Sequence, residues 1–252
     1  MENKVRIRWV DETDSTQDEL RRRFLESDNL SVTAARFQTE GRGQRGNKWT
    51  SERGENLTFS MLLKFGEGAF PPLPVSRQFA ITKAATLAVV SYLGGKGVEA
   101  SVKWPNDIYV RDKKICGMLV ENVLDGDKVA VSFVGIGLNM NQREFDPSLL
   151  NPTSLSLATG SRYDLESELE VLASILAGSF GRLLGSGAPS AADEEYESLL
   201  YRKGEFHEYV SCADGTVFEG KIIGVSPEGR LLVINKEGEH KEFAFKEINF
   251  II

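Results

Sequence analysis

The sequence predicts an α+β protein, with helices packed on a mainly antiparallel sheet and a small β-barrel appended at the C-terminus. Three observations predict it. Short β-rich runs separated by charged or glycine-containing turns fill residues 98–136, helical periodicity occupies stretches before and after them, and from about residue 205 only short alternating strands remain.

Each element has its own signal. Residues 5–10 alternate charged and apolar side chains as a first strand. Thr13-Asp14-Ser15-Thr16 leads into a helix over residues 17–26 that places Leu20, Phe24 and Leu25 on one face, and Ser15 with Asp18 makes a capping box. Capping alone would explain Ser15 and Thr16. Residues 32–38 read as a second strand ending on Gln38, and residues 57–65 as a third. After a proline-rich break at 71–74, a helix over 75–93 buries Phe79, Ala80, Ala84, Leu87, Ala88 and Tyr92, and Gly94-Gly95 stops it. Strands at 98–104, 107–110, 115–123 and 128–136 form consecutive antiparallel hairpins, followed by helices over 165–184 and 192–202. Turns at Asp214-Gly215, Glu228-Gly229 and Glu237-Gly238 then set out the barrel, giving a large domain over 1–204 and a small one over 205–252.

Composition narrows the function. A chain of 252 residues that is 41% hydrophobic can bury one substantial core and carry a small second module. Its net charge of -7 argues against nucleic acid as the default partner. Cys116 and Cys212 lie far apart in a composition suited to reduced thiols, and no stretch approaches the roughly 18 apolar residues of a membrane span, so a cytoplasmic protein without membrane contact is expected. The two histidines, His207 and His240, lie near the C-terminus. Triads, histidine zinc sites and Cys-His proteases are therefore disfavoured, and a catalyst built from this chain works by charge and positioning.

Residues 41–49 read Gly-Arg-Gly-Gln-Arg-Gly-Asn-Lys-Trp, without an acidic group. Glycines let backbone N–H groups approach an anion, and guanidinium groups supply paired, permanently charged donors. Gly41, Gly43 and Gly46 also satisfy G-x-G-x-x-G, but a strand-like run follows instead of a helix. A phosphate or carboxylate clamp outside a dinucleotide fold is the better reading, with Lys48 and Arg53 equally explained as basic surface. In Lys103-Trp104-Pro105-Asn106-Asp107, turn chemistry accounts for the last three residues and leaves Lys103 and Trp104 over, although Trp104 suits a core as well. Lys113 to Glu121 enters an apolar strand through two lysines, and a solvated hairpin tip explains Lys113. Gly135-Ile136-Gly137-Leu138-Asn139-Met140-Asn141 ends its strand in residues that permit close backbone approach and neutral hydrogen bonding.

Taken in order, Ser15-Thr16-Gln17, Gln38, the 41–49 loop, Lys103 to Asp107, Lys114 to Gly117 and Gly137 to Asn139 resemble the motifs of biotin protein ligases across essentially the whole chain. The resemblance implies a catalytic domain related to class II aminoacyl-tRNA synthetases and an SH3-like C-terminal domain. It implies that biotin and ATP, with Mg2+ on the phosphates, form biotinyl-5′-AMP, from which biotin passes to a lysine of a biotin carboxyl carrier protein. It implies biotin binding by Ser15, Thr16, Gln17, Gln38, Gly41, Arg42, Gly43, Gln44, Lys114 and Gly117, and ATP binding by Arg42, Gln44, Arg45, Trp49, Lys103, Asn106, Lys114 and Asn139. Arg42 and Lys114 would be the main electrostatic catalysts, with Lys103, and Asp107 would orient the acceptor lysine. Many relatives carry arginine where this chain has Gln44, so looser retention of the adenylate is expected. The first strand begins at the N-terminus, so a DNA-binding domain is not expected, and a monomer or weak homodimer is. A lipoate protein ligase and a non-catalytic ligand sensor or adaptor are the rival readings.

Overall fold

The computed structural model describes residues 5–185 and 190–252; the side chains of Arg45, Ser190 and Ala191 also lie outside the description. Its main sheet has eight strands: β1 (Arg6–Thr13), β2 (Ser31–Gln38), β3 (Leu57–Lys64), β4 (Leu73–Pro74), β5 (Ser101–Lys103), β6 (Asp107–Val110), β7 (Lys113–Asp125) and β8 (Lys128–Leu138). They lie in the order β1-β2-β3-β8-β7-β6-β5, with β4 paired to β8. Only β1 and β2 run parallel. Among the described residues the α-helices are α1 (Thr16–Arg22), α2 (Phe79–Gly95), α3 (Leu155–Thr159), α4 (Leu165–Gly185) and α5 (Ser190–Ser198).

Strand alternation divides the sheet into two faces. Leu57, Phe59, Met61 and Leu63 of β3, with Val134, Ile136 and Leu138 of β8, join α2 and α4 in the principal core. On the opposite face, Leu62 and Phe133 pack under Leu20 of α1. Helix α1 packs mainly on β2, β3 and β8 there and reaches β7 through Gln17 and Arg21, while the face around Gly117 and Gly137 lines a cavity.

Several boundaries differ from the sequence expectation. Helix α1 ends at Arg22 because the chain turns back toward β2, which leaves Leu25 82% exposed instead of on an apolar face. The capping box is half formed. Ser15 accepts from the Gln17 N–H, but its own N–H donates to Asp14 and not to Asp18. Residues 75–77 are a 3-10 turn, and α2 begins only at Phe79 and runs through both Gly94 and Gly95, with Lys96 as its C-cap. The strand expected at 98–104 shrinks to β5, and α5 stops at Ser198 so that Val102 can pair with Leu199 and Tyr201. Helix α3, capped by Ser154, is too short to leave a periodic signal.

Residues after 205 do not extend the main sheet. Strands β9 (Phe206–Ser211), β10 (Val217–Val225), β11 (Leu231–Asn235), β12 (His240–Phe243) and β13 (Ile248–Phe250) form a second antiparallel sheet in the order β12-β11-β10-β9-β13. An aromatic seam joins it to the first. Trp104 packs edge-on to Phe245 with centroids 5.3 Å apart and donates its indole N–H to Gly229 O at 2.9 Å, while Phe79 meets both Phe245 and Tyr196. Trp104 is thus a core residue that ties the two sheets together. Among the described residues no helix is long and apolar enough to cross a membrane. Cys116 and Cys212 are free thiols.

Candidate active site

A cavity of about 510 Å³ opens between the uncovered face of the main sheet and the second sheet, a size suited to a small ligand. Its floor is made by missing side chains. Gly117 pairs with Gly137 and Leu119 with Gly135 across β7 and β8, so three glycines lie together on the site face. A Cβ on Gly137 would stand 2.2 Å from the Trp49 ring, one on Gly117 would stand 3.0 Å from it, and one on Gly135 would crowd the Gln17 amide at 3.3 Å. The space that three side chains would fill lets the Trp49 ring and the Gln17 amide lie directly on the sheet as walls of the slot.

The N-terminus of α1 forms one wall. Gln38 Oε1 accepts the Thr16 N–H at 2.8 Å, which leaves the Gln38 amide nitrogen as a donor. Gln17 spends both amide hydrogens on the carbonyls of Leu119 and Phe133, at 3.0 and 2.9 Å, and keeps its oxygen as an acceptor. Thr16 and Ser60 share a buried hydroxyl contact of 2.8 Å. Neutral donors and acceptors thus converge at one end of the slot.

Cations line the same cavity. Among the described residues, Arg42, Lys48, Lys103, Lys114 and Lys246 line the cavity against a single carboxylate, Asp107, in a chain whose net charge is -7. Lys114 Nζ pairs with Asp107 Oδ1 at 2.8 Å and lies 5.8 Å from the Trp49 ring centroid. A bulge places it there: the register passes from Ile108 opposite Cys116 to Tyr109 opposite Lys114, so the extra residue, Ile115, is buried and Lys114 shares the site face with Gly117. Lys103 Nζ lies 4.9 Å from the Phe250 ring and 5.4 Å from Tyr109, and burial lowers its pKa despite the opposing pull of Asp107. Asn106 donates to Met118 O and its carbonyl accepts the Met118 N–H at 3.2 Å, which fastens the 103–107 motif to β7.

The 41–49 segment is a hairpin, with Gly43 N–H donating to Asn47 O at 2.7 Å and Trp49 N–H to Gly41 O at 2.9 Å. It folds Trp49 over Gly117 and Gly137, where the indole nitrogen is buried without a hydrogen-bond partner among the described residues. Gln44 and Gly43 line the cavity. Arg42 also reaches it, but its guanidinium is engaged on the outer side, to Asp18 at 2.9 Å and Glu121 at 3.3 Å.

Ser15, Thr16, Gln17, Gln38, Arg42, Gly43, Gln44, Trp49, Lys103, Asn106, Asp107, Lys114 and Gly117 therefore meet around one cavity. Two expected residues do not line it. Gly41 sits behind the loop, where a Cβ would strike Trp49 O at 2.3 Å, so its role is to let the hairpin close. Asn139 is buried and donates to Thr153 O at 2.9 Å, because β8 has already left the slot at Leu138. The Arg45 side chain lies outside the described residues. Sequence reasoning missed Ser60 and the contribution of the second sheet, Cys212, Phe245, Lys246, Ile248, Asn249 and Phe250. Ser60 was detectable as a polar residue inside an apolar strand, whereas nothing local marks the others.

Residues 9–141, the segment that builds most of this cavity, match the Biotin/lipoate A/B protein ligase family. The chain belongs to that family. It is 30% identical over 218 residues to the bifunctional ligase/repressor BirA of Bacillus subtilis, a match covering 85% of this chain and 64% of that protein. It is 31% identical over 172 residues to the biotin--[acetyl-CoA-carboxylase] ligase of Paracoccus denitrificans, covering 66% of this chain and 69% of the other. The structure resembles that of the biotin protein ligase from Aquifex aeolicus in complex with biotin and ATP, with a TM-score of 0.77, 29% identity and 97% of each chain covered. Family membership agrees with the geometry: a mixed α+β fold with a large sheet, a smaller C-terminal sheet and a cationic cleft between them.

Proposed function

We propose that this chain is an ATP-dependent biotin protein ligase. The biotin carboxylate attacks the α-phosphorus of ATP, the bond to the β-phosphate oxygen breaks, and pyrophosphate leaves. The amine of a lysine on a biotin carboxyl carrier domain then attacks the acyl carbon, and AMP departs as the amide forms. The observation that carries this reading is the concentration, among the described residues, of five cations against one carboxylate around a glycine-floored slot that neutral polar groups also line. Two anions must meet for the first step, and fixed positive charge in a site shielded from water offsets their repulsion.

In this reading Gln17, Gln38, Thr16 and Ser60 bind the ureido head of biotin, and Ser15 holds the turn that presents them. Lys114 and Arg42 neutralise the carboxylate and α-phosphate, Lys103 meets the nucleotide phosphates, and the Trp49 indole covers the reacting groups. Asp107 gives up Lys114 to the phosphate and orients the acceptor lysine. Magnesium enters with ATP. Among the described residues no group of three or more His, Cys, Asp or Glu side chains could hold it independently of the nucleotide. Residues 1–204 then form a catalytic unit of the class II synthetase type and residues 205–252 an SH3-like unit that closes the cavity. Relatives named as biotin ligases support biotin over lipoate. Incubation with biotin, α-labelled ATP and an unmodified carrier domain should yield pyrophosphate, AMP and biotinylated carrier. Binding of either acid without pyrophosphate release would instead identify a sensor, and turnover with lipoate alone a lipoate ligase.

A further inference from the structure

On the outer side of the 41–49 hairpin lies a second cavity of about 550 Å³, whose charged lining is Asp18, Glu40, Arg42, Lys48 and Glu121. Arg42 stands at the partition between the two cavities. Both of its carboxylate partners take the same nitrogen: Nη2 donates to Asp18 Oδ1 at 2.9 Å and to Glu121 Oε2 at 3.3 Å. Nη1 and Nε make no bond to the described residues. Arg21 closes the cluster by donating to Glu121 Oε2 at 3.1 Å and approaching Asp18 at 3.9 Å. Two acids and two arginines therefore balance, and Arg42 is gripped from one side.

We propose that Asp18, on α1, and Glu121, on β7, are positioning residues for Arg42: they hold Nη2 on the outer side so that Nη1 and Nε face the reacting anions. A planar guanidinium held at one nitrogen keeps its remaining donors in a fixed direction, and that direction is what an anion clamp requires. The pairing stabilises the fold little, since Arg42, Asp18 and Glu121 are each about a third exposed at the side chain. Orientation is its consequence. The two acids come from elements that also build the slot, α1 through Thr16 and Gln17 and β7 through Gly117 and Leu119, so the hairpin arginine is referenced to the same scaffold as the ligand.

The inference rests on the ligase reading, and the experiment separates the two. Pyrophosphate release by the unaltered protein with biotin and ATP tests the ligase reading alone. Given that activity, the pair Asp18→Asn with Glu121→Gln should raise the rate at which biotinyl-adenylate escapes into solution about tenfold, with an unchanged melting temperature. The charge-preserving exchange Asp18→Glu with Glu121→Asp should restore most of the retention. In a chain already carrying Arg42→Gln, the same neutralisation should add nothing, because its target is gone. Unchanged escape in the neutralised pair, or an equal increase in the Arg42→Gln background, overturns the proposal. Should the double variant fold poorly, Glu121→Gln alone carries the test, with the same Arg42→Gln control and the same overturning results.

Discussion

The glycines of the cavity floor and Gly46 of the loop that roofs it answer to different physical needs. Gly117, Gly135 and Gly137 lie in regular strands, and it is space that their substitution would remove. Gly46 in the loop has φ +86° and nothing within 4 Å of an added Cβ, so conformation is its requirement. The floor is fixed by hydrogen-bonded register on both sides, whereas the loop is a short hairpin held by its own turns and by Arg42. Shape is built into the scaffold, and the loop brings two of the cavity's cations, Arg42 and Lys48.

The comparison can be broken at three levels. Gly137→Val should have the largest effect, lowering kcat/KM for biotin about 100-fold, because the Trp49 ring can no longer lie on the floor. Tryptophan fluorescence would report the displaced ring, and near-normal kinetics would show that the slot tolerates a side chain. An intermediate effect is expected of pH. Burial lowers the Lys103 pKa, so its charge is lost at a pH below that of an ordinary lysine, and adenylate formation should decline there as pH rises. The stability sign follows as well: charged Lys103 costs the folded state stability at neutral pH, and that cost shrinks as pH rises through the lowered pKa toward the unfolded value. Lys103→Arg should move the alkaline limb of the rate profile upward; an unmoved limb would assign it to another group. The smallest change is expected of Gly46→Ala, about 1 kcal/mol of loop strain and a few-fold loss of kcat/KM, measured beside Gly137→Val. A loss as large as that of the floor variant would mean that the loop is as rigid as the sheet.

Legibility in the sequence followed how local each signal is. The hairpins over β6 to β8, the long helix α4 and the onset of a second β-rich unit were readable because alternation, period and turn residues act over a few positions. The charged motifs were readable for the same reason. Helix α2 began late and α1 ended early because the chain must turn where tertiary packing requires it, which periodicity alone does not register. Asn139 was placed in the site by its motif, yet it is committed to Thr153 O.

By itself the sequence determined the inventory: an anion-seeking hairpin, a lysine-bearing turn, strands interrupted by glycine, too little histidine for acid–base triads, and the family pattern these make together. Only the tertiary structure decided that Gly117 faces Gly137 across a strand pair, that a bulge turns Lys114 onto their face, and that Phe245, Lys246 and Phe250 close the cavity from the second sheet. The physical reason is that residue chemistry is a property of each side chain. A cavity depends on register and on the approach of segments more than a hundred residues apart, which follow from burying the whole core at once.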